Sequence, residues 1–162
     1  EARINMHHII SVTVENKFGV LSRIAGLFAG RGYNIGSLAV GPTEKEDIST
    51  IVLTVSGDDK IIEQVIKQLN RLIDVIKIVY LTEKEIVKRE LLLIKISAEH
   101  TTKRSELFQI CEVFKSKIVG ITNKNVIIEL SGAPAKIDAF INIMRPYGIL
   151  EVSRTGLIAL AR

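Results

Sequence analysis

Residues 15–35 read ENKFGVLSRIAGLFAGRGYNI. Within them Val20, Leu21, Ile24, Ala25, Leu27 and Phe28 recur at i, i+4 and i+7, so the spacing predicts a helix with one apolar side. The helix is entered through Asn16-Lys17-Phe18-Gly19 and left through Gly30-Arg31-Gly32-Tyr33-Asn34. Gly19 has no Cβ, so the chain there can take an unusual backbone angle and let a ligand approach the main chain. The N–H groups of Val20, Leu21 and Ser22 are then expected to point out of the helix start without intrahelical acceptors. With the positive end of the helix dipole behind them, they make a site for a small carboxylate. Gly30 and Gly32 are expected to stop the helix, and Asn34 to stand where the chain turns back into a strand.

Working outward, 8–14 alternates Ile10, Val12 and Val14 against Ile9, Ser11 and Thr13, which predicts a strand. A second strand is expected over 35–40 and a third over 48–55, with the polar turn Pro42-Thr43-Glu44-Lys45-Glu46-Asp47 between them. Ser56-Gly57-Asp58-Asp59 opens a second helix that runs to Leu69 with Ile61, Ile62, Val65 and Ile66 on one side. A fourth strand over 74–81 completes β-α-β-β-α-β, the ferredoxin-like order. The charged stretch 82–90 (TEKEIVKRE) marks a boundary, and the pattern then repeats: strand 91–97, helix 101–114, a hairpin of 117–121 and 126–130 around Asn123-Lys124-Asn125, helix 134–144 and strand 148–152. Each half leaves its third strand through Ser-Gly (Ser56-Gly57, Ser131-Gly132) and enters its second helix through Lys-Ile (Lys60-Ile61, Lys136-Ile137), which supports an internal repeat. The expected architecture is α+β, with two ferredoxin-like domains at 1–82 and 83–162 and an apolar tail, 156–161, packed as an extra strand or contact.

Composition bounds the function. Aromatics are 5% with no Trp, so the core is aliphatic, and no apolar run approaches the ~20 residues of a membrane span. No signal peptide opens the chain, which begins at Glu1 rather than Met, so an upstream piece is expected. The lone Cys111 excludes an internal disulfide and fits a reducing compartment such as the cytoplasm. A net charge of +4 is mild and, with Lys and Arg scattered, suggests an acidic partner surface at most; no nucleic acid and no membrane are expected as partners. His7, His8 and His100 are the only imidazoles and form no cluster with metal-ligand spacing, so no catalytic residue and no metal site are expected. Cys111 falls on the apolar side of its helix, as a buried small hydrophobe does. Gly26, Gly30 and Gly32 follow the helix start instead of preceding it and lack the order of a dinucleotide fingerprint.

In a β-α-β-β-α-β sheet the second strand lies at an edge. Ile35-Gly36-Ser37-Leu38-Ala39-Val40 carries no charge and none of the usual devices against edge pairing. A homodimer that covers this strand is therefore expected.

The run E-N-x-x-G-V-L-S-R-I-A-G-L-F-A-x-R-G-Y-N-I resembles the first half of an ACT domain, a small-molecule sensor of amino-acid enzymes. More narrowly, the chain is similar to the regulatory (small) subunits of acetolactate synthase, also called acetohydroxyacid synthase. The likeness continues through LAVGPT (38–43), DKIIEQVIKQLNRL (59–72), 87–96 and 138–156. At Lys17-Phe18 it departs from the smaller or acidic residues usual in the family. The resemblance implies valine as an allosteric effector held between two ACT domains. The Gly19, Val20 and Leu21 amides would take its carboxylate, Asn16 would orient it, and Asn34, with Ile35 beside it, would reach its ammonium from the neighbouring subunit. The same residues would also serve as a plain helix cap and turn. It further implies a non-catalytic subunit that binds and activates a catalytic (large) subunit carrying thiamine diphosphate, magnesium and FAD, in the cytoplasm or, in a plant or alga, the plastid stroma. A free-standing ACT-type sensor that regulates another enzyme or a transcription factor is the alternative. RNA-binding domains of the same strand order stack bases on aromatics of their first and third strands; strands 8–14 and 48–55 hold none.

Overall fold

The computed structural model describes residues 7–162. The first half runs β1 (His7–Glu15), α1 (Val20–Arg31), β2 (Asn34–Pro42), β3 (Ile48–Ser56), α2 (Asp59–Asn70) and β4 (Val75–Tyr80). Its strands pair antiparallel in the order β2-β3-β1-β4, so β2 is an edge strand as expected. The second half runs β5 (Ile86–Ser97), α3 (Thr101–Phe114), β6 (Lys117–Ile121), β7 (Asn125–Gly132), α4 (Pro134–Met144) and β8 (Ile149–Arg154), in the order β6-β7-β5-β8. A last strand, β9 (Ile158–Ala161), pairs with β5. The architecture is α+β with two ferredoxin-like sheets, each covered by two helices.

Each core follows from alternation along strands meeting one stripe of a helix. In the first, Ile10, Val12 and Val14 of β1 and Ile51, Leu53 and Val55 of β3 meet Val20, Ile24 and Phe28 of α1 and Ile62, Val65 and Leu69 of α2. In the second, Leu92, Ile94 and Ile96 and Val126, Ile128 and Leu130 meet Leu107 and Cys111 of α3 and Ile137, Phe140, Ile141 and Met144 of α4. Burial pushes the Cys111 thiol above its ordinary pKa, in keeping with an apolar role. Helix α2 is capped as its sequence predicts, the Asp58 carboxylate accepting from Ile61 N–H at 3.0 Å.

Several expectations need correcting. Gly30 does not stop α1; it lies inside the helix, and Gly32, at φ +66°, alone supplies the left-handed residue that ends it. Leu21 and Ala25 are exposed, so the buried stripe of α1 is narrower than the apolar one. The charged stretch 82–90 is no linker throughout, because β5 already begins at Ile86. Its alternate residues lead into the buried Glu90, Leu92 and Ile94, a pattern that surface charges mask. The two compact units therefore divide after Val87 and not at 82/83, and Leu157–Arg162 folds with the first unit, so the second unit is Lys88–Gly156. No helix among the described residues is long and apolar enough to cross a membrane.

The tail is packed, as its apolar sequence predicts. Leu157 and Ala159 join Ile9, Val52 and Leu81 in a small core of the first unit, and Arg162 donates its N–H to the Glu85 carbonyl and pairs with the Glu85 carboxylate at 3.1 Å. Deleting residues 157–162 bares Ile9, Val52 and Leu81, and loss of the buried leucine alone costs about 2–4 kcal/mol. Chemical denaturation of the shortened chain is expected to show the first unit unfolding earlier. An unchanged midpoint would mean that the tail contributes no packing.

Candidate functional site

The turn between β1 and α1 is the open end of the first unit. Gly19 sits at φ +83°, ψ −2°, left-handed, and is the residue before the helix; no side chain caps the helix start. A Cβ there would lie 3.1 Å from Nη1 of Arg23. The Val20 N–H is not free, as the sequence led one to expect. It donates to the Lys17 carbonyl at 3.3 Å, and the Val20 side chain is buried in the core. The Leu21 and Ser22 N–H groups have no carbonyl or side-chain acceptor among the described residues, and Leu21 is half-exposed beside them. Of the Val20, Leu21 and Ser22 amides two are thus left without an acceptor, and the Gly19 N–H likewise has none among the described residues.

Asn16 is fixed by the β2–β3 loop. Its backbone N–H donates to Asp47 O at 2.7 Å and its side-chain amide to Glu46 O at 3.2 Å, which leaves the amide oxygen to turn outward. Lys17 pairs with Glu15 at 2.6 Å, and that hydrogen bond raises the ammonium pKa.

Arg23 is the residue that reading the sequence missed. Its Nε and Nη2 donate to the same Asp74 oxygen at 2.9 and 2.6 Å, and Asp74 is buried at the start of β4. The Asp74 carbonyl accepts from Glu15 N–H at 2.9 Å, so one residue ties β4, β1 and α1 together next to Gly19. Nη1 is left facing the glycine, adding positive charge to the helix start. The available signal was the Gly19–Arg23 spacing of four, one helical turn, which brings the guanidinium back over the glycine.

Asn34 and Ile35 lie elsewhere. Asn34 opens β2 opposite Ser56, which is opposite His7, the first residue of β1; Glu15, next to Asn16, is at the other end of that strand. Eight residue steps along the sheet span roughly 27 Å. One chain therefore does not bring Asn34 to Gly19. Asn34 is exposed, and Ile35 packs partly against its own core.

The corresponding turn of the second unit is closed. Helix α3 starts after His100, at φ −105°, with no glycine. Arg104 Nε donates to Ala98 O at 2.8 Å and Nη2 donates to Thr122 O, so a guanidinium fills the space between the β5–α3 and β6–β7 connections.

Two further buried titratable groups are used structurally. His8 is buried, with Nε2 3.0 Å from the Gly57 carbonyl and Nδ1 2.5 Å from the Tyr80 hydroxyl. A carbonyl only accepts, so Nε2 carries the proton and Nδ1 accepts from Tyr80. In the second unit the buried Glu90 takes two hydrogen bonds from Arg154, at 2.6 and 2.9 Å. No group of three potential metal ligands occurs among the described residues.

Comparison with known proteins identifies the family of the chain. Residues 10–77 match the family described as the AHAS small subunit-like ACT domain, and 89–162 the family described as the small subunit of acetolactate synthase. The second match takes in the tail that folds back onto the first unit. A probable acetolactate synthase small subunit of Archaeoglobus fulgidus is 50% identical over 97% of this chain and 98% of its own. An acetolactate synthase small subunit of Mycolicibacterium smegmatis is 44% identical over 96% and 91%. The crystal structure of the small subunit from Thermotoga maritima superposes with a TM-score of 0.87 at 41% identity, over 97% of this chain and 98% of that one. With such likeness over nearly its whole length, the chain belongs to the acetolactate synthase small-subunit family.

Proposed function

We propose that this chain is the regulatory subunit of acetolactate synthase, which binds the catalytic subunit, raises its activity and makes it subject to feedback inhibition by valine. The observation that carries the effector half of this reading is the helix start at Gly19, uncapped by any side chain, with unmatched amides and with Arg23 Nη1 beside the glycine. Thiamine diphosphate, magnesium and FAD would belong to the catalytic subunit, and this chain would work in the cytoplasm, or in the plastid stroma of a plant or alga.

Valine would be held between two copies. Antiparallel pairing of β2 with a second β2 about a two-fold axis is the plain way to satisfy the bare edge. It sets the Asn34 end of one copy beside the Pro42 end of the other, which is the end where Asn16 and Gly19 stand. The 27 Å separation within a chain is then bridged across the dimer. Leu21 and Ser22 amides would take the carboxylate, Asn16 would orient it, and Asn34 of the partner subunit would accept from the ammonium.

The magnitudes suit a sensor of a metabolite pool. Charge-assisted hydrogen bonds contribute ~1.5–3 kcal/mol each and burial of an isopropyl group ~1.5–3 kcal/mol. Offset by the cost of association, this leaves an affinity on the order of micromolar to millimolar. One methylene discriminates by only ~1–3 kcal/mol, so leucine and isoleucine compete. To inhibit, valine need favour one state of the assembly by only about 1–3 kcal/mol.

Two outcomes are expected. Gly19→Asp sets a carboxylate where the ligand's should lie, and in assays with the catalytic subunit it abolishes valine inhibition while activation persists. Loss of both functions in a folded variant argues against a separate effector site. Val40→Lys places a charge on the exposed part of β2 and is expected to give a folded monomer in analytical ultracentrifugation. Calorimetry should then detect no valine binding, whereas a monomer that binds valine with unchanged affinity rules out the shared site.

A further inference from the structure

Arg23 is held along one edge of its guanidinium and open at the other. Its side chain is half-exposed, whereas that of Asp74 is buried. Nε and Nη2 both donate to the same carboxylate oxygen, Oδ2, at 2.9 and 2.6 Å. Holding one oxygen does not require a guanidinium, since a lysine ammonium can donate to it as well. What arginine adds is a third nitrogen. Nη1 has no acceptor among the described residues and stands 3.1 Å from the place a Gly19 Cβ would take. The Gly19, Leu21 and Ser22 N–H groups of the same turn also lack acceptors.

Resting on the effector reading above, we propose that Arg23 is a specificity-determining residue of that site: its Nη1 donates to the effector's carboxylate, and Asp74 is the positioning residue that aims it. The class of effector selected is an amino acid with a free, ionised carboxylate, against amides and esters of the same amino acid. Backbone N–H groups alone select weakly, because they donate to a carboxamide oxygen as well as to a carboxylate, and the helix dipole adds only a partial charge. A guanidinium favours the ionised group, since a charge-assisted hydrogen bond is roughly twice as strong as a neutral one. Asp74 lowers the net charge of the pair but fixes its direction. An untethered arginine keeps its head in water, and ordering so long a side chain when the ligand binds weakens affinity. With Nε and Nη2 engaged, that ordering precedes the ligand. The aspartate's charge lies against the Nε–Nη2 edge of the planar group, so the nitrogen beside Gly19 is the one farthest from it. The second unit lacks the device. There Arg104, also the fourth residue of its helix, gives Nε and Nη2 to the carbonyls of Ala98 and Thr122, and no glycine precedes the helix.

The test is calorimetry of the full chain with L-valine and with L-valinamide at about pH 6, where both ligands carry an ammonium group. The variant is Arg23→Gln/Asp74→Asn, which exchanges the ion pair for two neutral amides and leaves no buried charge unpaired. The unaltered chain is expected to prefer valine to valinamide by about tenfold or more. In the double variant valine binds more weakly by about that factor and valinamide does not, so the preference collapses. Arg23→Lys, which keeps the charge but has a single nitrogen for two tasks, is expected to lose the preference likewise. Equal weakening of both ligands makes the pair a structural tie and overturns the assignment, as does unchanged valine affinity in the double variant. A measurement on the unaltered chain covers a variant that fails to fold. With arginine labelled by 15N, valine should shift the Arg23 guanidinium resonances, and resonances that saturating valine leaves in place overturn the assignment. An unaltered chain that takes up no valine overturns the effector reading first, and the role of Arg23 with it.

Discussion

The turn at Gly19 depends on one buried carboxylate. Asp74, at the head of β4, receives two hydrogen bonds from Arg23 in the second turn of α1, and its carbonyl receives the N–H of Glu15 at the end of β1. Three elements that share no sequence neighbourhood are thereby fixed around four residues of turn. Only then does the left-handed glycine have a defined job. A side chain at φ +83° would cost on the order of 1 kcal/mol in backbone strain, and its Cβ would press on Arg23 Nη1. The gap is kept because the guanidinium is already committed to Asp74. Since Asp74 is buried and Arg23 half-exposed, the pair matters more for holding geometry than for net stability.

From this follows the need for a second copy in the proposed mechanism. A helix start offers an anion its unmatched amides and a favourable potential, but nothing for an ammonium group or an aliphatic side chain. The residues suited to those tasks are at the far end of the same sheet. A fold of this topology cannot fold the two ends onto each other, because β1 and β3 are continuous nine-residue strands that keep them apart. The unpaired edge of β2 and the split site are thus two aspects of one constraint, and antiparallel pairing across a two-fold axis meets both.

Much of this was legible in the sequence. Alternation over the core-facing positions of β1 and β3, the Asp58 cap, the proline opening α4 and the repeated order of elements all reported the fold, because local pattern and tertiary burial agree there. What was misread has physical causes. Gly30 resembles a helix stop, but a glycine inside a helix costs only about 1 kcal/mol and here Gly32 is better placed. The start of β5 is hidden because Lys88 and Arg89 face outward and Glu90, though charged, is buried against Arg154. The destination of the tail was not legible at all: an apolar strand states that it will be covered, not by what. Arg23 escaped notice for a related reason, since its partner is 51 positions away and only the folded chain brings it beside Gly19.

The two units show how the same order of elements can be opened or closed to a ligand by a few side chains. In the first, a glycine bares the helix start and the nearby arginine is bound through Nε and Nη2 to an aspartate, with Nη1 left facing the glycine. In the second, the helix begins on an extended His100 with no glycine, and Arg104 finds no carboxylate, so its guanidinium turns onto the carbonyls of Ala98 and Thr122. An arginine satisfied by backbone carbonyls occupies the space an effector would need, and it supplies the hydrogen-bond donors that a ligand would otherwise bring. The second unit is therefore self-liganded at this turn, whereas in the first Asp74 engages Nε and Nη2 of Arg23 and the proposed effector site stays open.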